Sequence, residues 1–208
     1  MKSLGAVALV FASALALGCV GAALERPAPP QIRFLLAATP SASHEATLPA
    51  SLWVDRVRVS PMFSGTSFVY RTGDSIYGSD FLHEFFAPPG DVLREAMIEW
   101  LRASESFASV ERSLDSDPEY RLESDVDRFY ADLRDPSEPR VVLEGRFRLL
   151  DLRGVRPARR LDLPLAEQEP AADRSPQALV AAWNRLLSRM LERLDRELRS
   201  VVASPSSR

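Results

Sequence analysis

The chain has 208 residues, 46% of them hydrophobic, which gives room for one domain of ordinary size with a sizeable core. A net charge of −3, with acids interleaved among arginines and Lys2 as the sole lysine, gives no surface suited to nucleic acid. One cysteine excludes an internal disulfide framework and a multi-cysteine metal site.

The position of that cysteine matters more than its number. Lys2 precedes an apolar run that ends at Leu17, Gly18 and Cys19, which reads as a secretory signal too short for a comfortable transmembrane helix. The end resembles a bacterial lipobox, with Ala16 and Leu17 standing where the usual pattern has Leu and a small residue. A thiolate is the nucleophile that accepts a diacylglyceryl group, and cleavage before Cys19 frees an amine for a further acyl chain. Each buried CH₂ contributes roughly 0.8 kcal/mol, so two or three chains anchor firmly. The plainer alternative is a signal peptide that happens to contain cysteine. Residues 1–18 are thus expected to be a signal peptide, and residues 19–30 a lipidated Cys19 with a Pro-rich tether ending at Pro27, Pro29 and Pro30. Val20 rather than Asp follows the cysteine, which by resemblance to enterobacterial sorting favours the outer over the inner membrane.

One domain is expected over residues 31–202. Gln31–Ala37 reads as a first strand, and Thr39–Thr47 as an irregular segment rich in turn residues. Ser51–Ser60 reads as a second strand, with Trp53, Val57 and Val59 on one face and Arg56 and Arg58 on the other. Thr66–Arg71 places Phe68 and Tyr70 on one side, turns at Thr72, Gly73 and Asp74, and pairs with Ser75–Phe86 as a hairpin weakened by Gly78 and Asp80.

Pro88, Pro89 and Gly90, with Asp91 in the first turn, open a helix carrying Leu93, Met97, Trp100, Leu101 and Ser104 on one face. A short strand is expected over Ser106–Arg112. From Tyr120, Leu122 and Val126 the apolar phase moves to Phe129, Ala131 and Leu133, which predicts a bulge near Asp127 and Arg128. Val141–Asp151 is the clearest strand, with Val141, Leu143, Gly145, Phe147 and Leu149 facing one way; Leu161, Leu163 and Leu165 continue it as a hairpin. Ser175 and Pro176 start a long helix whose stripe is Leu179, Trp183, Leu187, Met190, Leu194, Leu198 and Val201. Residues 203–208 are expected to be a disordered tail. The fold class is α/β in the α+β sense: a single domain with a mostly antiparallel or mixed sheet and two main helices on one face, behind a lipoprotein signal peptide.

Enzyme motifs are absent. There is no nucleophile elbow, phosphate-cradling glycine loop or dinucleotide fingerprint, so no catalytic residue and no cofactor are expected. His44 lies in the turn-rich segment. His83 with Asp80 and Glu84 is the nearest approach to a metal site, but without a second ligand pair it reads as a polar edge. The aromatic group Tyr70, Tyr77, Phe81, Phe85 and Phe86 has two readings: burial beneath the first helix, or an exposed apolar face for a partner protein or an acyl chain.

The central stretch resembles the ABC-type transport auxiliary lipoprotein family. The resemblance rests on an N-terminal cysteine, the strand Leu52–Val59, the Tyr70-Arg71 pair and the aromatic segment Glu84, Phe85, Phe86, Ala87, Pro88, Pro89 ahead of the first helix. Phe86 stands where many members have Trp, and the Val141–Leu150 strand and long C-terminal helix follow in order. It implies a periplasm-facing accessory in the bacterial envelope, beside ABC permease and ATPase subunits and a mammalian-cell-entry (MCE) type protein, moving lipids between membranes. It supplies no catalytic residues. Two other classes stay open: a carrier module binding a lipid or apolar ligand itself, and an assembly lipoprotein of another envelope machine.

Overall fold

The computed structural model describes residues 30–43 and 47–204. The signal peptide, Cys19, the tether up to residue 29, His44 and residues 205–208 of the expected tail lie outside the described residues. Eight strands form one mixed sheet: β1 Ile32–Phe34, β2 Leu48–Val59, β3 Ser67–Arg71, β4 Tyr77–Phe85, β5 Phe107–Glu111, β6 Tyr120–Asp132, β7 Arg140–Asp151 and β8 Ala158–Pro170. Two helices complete the domain, α1 Pro89–Ala103 and α2 Pro176–Ala203.

Strand β6 is the spine. Along one side it pairs with β7 antiparallel over its whole length, and β7 continues into the β8 hairpin. Along the other side its first half pairs with β2 and its last residues with β3, both parallel. The sheet forks there: β2 carries β5 in parallel, while β3 carries β4 antiparallel and then β1 parallel to β4. The fork falls where the phase change places it, since the β6–β7 register shifts between Val126 and Arg128. One extra residue lets Tyr120, Leu122 and Val126, and then Phe129 and Ala131, all face the core.

Helix α1 packs on β2 and β5, and α2 on β7, β8 and β2. The first-helix stripe is buried throughout. Ser175 caps α2 by accepting from the Ala178 N–H at 3.3 Å, and its stripe is buried from Leu179 to Leu198. The opposite face of the sheet is solvated and ion-paired, with Arg58 and Arg148 on Asp125 and Arg121 on Asp55.

Two strands depart from expectation. Trp53 does not share a face with Val57: the β2–β6 register shifts between Val54 and Val57, so Ala50, Leu52 and Val54 face inward, then Val57. Trp53 turns outward under the Arg121 guanidinium, 4.8 Å from its ring. β1 stops at Phe34 rather than Ala37, because the Ala37 N–H leaves the sheet to donate to the Asn184 side chain on α2 at 2.9 Å.

Candidate functional site: an apolar edge at β1 and β4

The five aromatics singled out in the sequence do not form one cluster. Phe85 is 2% exposed and belongs to the core. Its ring centroid lies 4.5 Å from Phe68, 5.3 Å from Phe129 and 5.5 Å from Trp183. Burial beneath the first helix is therefore corrected: the ring packs against Trp183 of the second. Tyr77 is half-buried beside Phe63 and Tyr130. Tyr70 is half-buried and donates its hydroxyl to Asp80 at 2.6 Å. Phe81 and Phe86 point to solvent, 88% and 64% exposed.

Phe81 owes its exposure to a bulge. The β3–β4 register moves from Ser67 opposite Glu84 to Val69 opposite Ser79, so β4 carries three extra residues across that interval. Asp80 ties the excess chain down: one carboxylate oxygen accepts from the Leu82 and His83 N–H groups at 2.8 and 3.1 Å. The other takes the Tyr70 hydroxyl and lies 2.8 Å from His83 Nδ1. Burial pushes the Asp80 carboxyl up, but the bonds from Tyr70, Leu82 and His83 outweigh it and hold it at about 2. Burial, and then Asp80 itself, push the Tyr70 phenol well above its usual range. Glu84 takes part elsewhere, accepting from Arg33 and Thr66.

A carboxyl held at about 2 in the fold and near 3.9 in the unfolded chain contributes stability that is full above about pH 4 and lost as pH falls toward 2. Between pH 5 and 2 the wild type is therefore expected to lose more stability than Asp80→Asn, which lacks this proton-linked part. Denaturant titrations at several pH values read the difference.

Around the bulge other apolar side chains stay in water. Leu35 and Phe86 follow the last paired residues of β1 and β4, and the Phe86 N–H donates to the Phe34 carbonyl at 2.8 Å. Leu35 is 63% exposed, and Ile32 and Leu82 are exposed as well. Sequence reading missed these three aliphatic members because single Leu and Ile residues in a strand read as core.

The edges of the sheet are treated differently. On edge strand β5, Arg102 donates twice to the Val110 carbonyl. On edge strand β8, Arg185 and Arg189 of α2 donate to the carbonyls of Pro170 and Gln168. Guanidinium groups occupying edge carbonyls block a further strand. β1 is the remaining edge, three residues long, with Arg33 paired to Glu84 of β4.

Residues 34–195 match the family model for the ABC-type transport auxiliary lipoprotein component. The chain belongs to this family. Membership makes it a membrane-anchored lipoprotein of the cell envelope, associated with an ABC transport system. No curated protein matches the sequence. Among solved structures, protein XCC0632 from Xanthomonas campestris is similar at a TM-score of 0.65 and 19% identity, covering 82% of this chain and 94% of that one. An uncharacterized protein is similar at 0.66 and 17%, covering 82% and 99%. The hypothetical protein CT253 from Chlamydia trachomatis is similar at 0.53 and 11%, covering 76% and 100%. At these identities the likeness shows a shared fold. The fold of this auxiliary lipoprotein is thus shared with solved structures.

Proposed function

We propose that this auxiliary lipoprotein is a non-enzymatic, periplasm-facing accessory of an ABC transporter that works with an MCE-type protein to move lipids through the envelope. Cys19 carries the lipid anchor, and the residue after it favours the outer membrane. The observation that carries the reading is the family match over residues 34–195. The local chemistry supports a non-catalytic role: Asp80, Tyr70 and His83 are spent on holding a bulge, and the acids of the outer sheet face are paired with arginines. The carrier alternative is weakened at its proposed pocket, because Phe85 fills its space against three other rings. Of the expected aromatic face, Phe81 and Phe86 are the members placed to meet something outside the domain.

A genetic test follows. Deleting this gene and deleting the gene for its MCE subunit are expected to give the same envelope-permeability defect, with the double deletion no worse than either. A Cys19→Ala copy is expected not to restore the barrier. Additive defects in the double deletion contradict a shared system.

A further inference from the structure

We infer that the β1–β4 edge rests against the surface of the bilayer that holds the anchor, with Phe81 and Phe86 seated among the lipid headgroups. The inference rests on the reading of Cys19 as lipidated.

Three observations lead there. Among the described residues, the large apolar side chains Ile32, Leu35, Phe81, Leu82 and Phe86 are exposed together on two adjacent strands or directly after them. Such grouping, unlike scattered single exposures, marks a contact surface. Second, the display of Phe81 is built into the strand. Asp80 fixes the bulge that displays Phe81 through four contacts, so the ring is presented rather than folded back. Third, part of the patch follows the tether closely in sequence. Eleven residues, Val20–Pro30, separate Cys19 from Gln31, and β1 begins at Ile32. Eleven residues reach no more than about 40 Å.

The tether decides between a bilayer and a distant partner. A few exposed rings and aliphatic chains bind a lipid surface weakly when free in solution, but tethering makes the contact intramolecular at high effective concentration. The first strand after the tether in sequence, β1, carries Ile32 and pairs with β4, which carries Phe81 and Leu82. The other described faces are costly to bring to lipid. The outer face of β6 and β7 carries the pairs of Arg58, Arg128 and Arg148 with acids. The exposed side of α2 carries Arg185, Arg189 and Arg193 paired with β8 glutamates. Setting β1 and β4 toward the membrane leaves these charges in water.

The test uses the full-length, acylated protein in vesicles of phosphatidylethanolamine and phosphatidylglycerol. Because the thiol of Cys19 carries lipid, nitroxide labels attach only at introduced positions: Phe81→Cys, Phe86→Cys and, as the aqueous control, Val155→Cys. Val155 is fully exposed in the β7–β8 turn, which leaves the sheet where Asp151 pairs with Tyr120, at the far end of β6 from the residues that pair with β3. The labels at 81 and 86 are expected to be reached by oxygen in preference to a nickel chelate, and the label at 155 the reverse. Phe81→Asp is expected to abolish the oxygen preference at 86 while leaving thermal unfolding unchanged, since the side chain is already in water.

Flotation with the vesicles reports on the anchor separately. A chain that does not float overturns the anchor and the edge contact with it. A floating chain whose labels at 81 and 86 are as open to the nickel chelate as that at 155 overturns the bilayer contact alone. Labels that stay aqueous on lipid and become shielded only when MCE or ABC subunits are added also overturn it, and assign the edge to a protein.

Discussion

Trp183→Ala is expected to destabilise the domain by about 3–5 kcal/mol, the range for emptying a large aromatic site in a packed core. Trp183 is 1% exposed. Its ring lies 5.3 Å from Phe68, 5.5 Å from Phe85 and 5.1 Å from Phe129, so it touches the β3, β4 and β6 arms of the fork at once. The cavity would open where three strands and α2 meet, and none of them can collapse into it without breaking register. Trp183→Phe is expected to cost only about 1–2 kcal/mol: it keeps most of the ring volume. The indole N–H has no protein partner among the described residues, so nothing polar is stranded by its loss. Urea unfolding of both variants checks the order. Equal costs would mean that the ring's contacts do not hold the fork together.

Gly145→Ala is the second. A methyl group there would stand 2.4 Å from the Asp125 carbonyl oxygen and 3.3 Å from the Val126 Cα, both main-chain atoms of β6. Gly145 pairs with Val126 immediately before the register shift, and no positive-φ backbone is involved. Glycine is required by close approach alone. Neither neighbour is a flexible side-chain end, so relief demands that β6 and β7 part at the bulge. The expected cost is about 3 kcal/mol, at the upper end of what overpacking gives. The comparison substitution Val141→Ala, in the same strand, removes volume and is expected to lower stability without changing the register. Hydrogen exchange of the β6 and β7 amides tells the two apart: Gly145→Ala is expected to speed exchange locally around Val126, whereas an even change along both strands would count against a local clash.

Much of this fold is readable from periodicity because each element has one wet and one dry side. The β6 bulge is legible because Phe129, Ala131 and Leu133 fall out of phase with Tyr120, Leu122 and Val126, and both sets are apolar enough to require burial. The β2 bulge escapes the same reading. Trp53 is large and apolar, so it passes for a core residue, and its true neighbour, the Arg121 guanidinium, is contributed by a strand much later in the chain. The edge at β1 and β4 was legible as a composition, not as a geometry. Phe81, Phe85 and Phe86 look alike in sequence, yet the three extra residues at Asp80 send Phe81 outward while Phe85 goes into the core. An Asp whose side chain binds N–H groups two and three residues on is a known turn device, and Gly78 and Asp80 were the available signals. Nothing local says that Leu35 leaves the sheet, because the bond that diverts the chain comes from Asn184.

The proposal that the domain serves an ABC transporter with an MCE-type partner meets its sharpest test in the company the protein keeps. Tagged full-length protein is isolated from native membranes, its companions are identified by mass spectrometry, and Cys19→Ala is carried alongside. MCE and ABC permease or ATPase subunits are expected with the wild type and are expected to be lost with Cys19→Ala. Recovery of an acylated protein alone, or with unrelated envelope machinery, would contradict it.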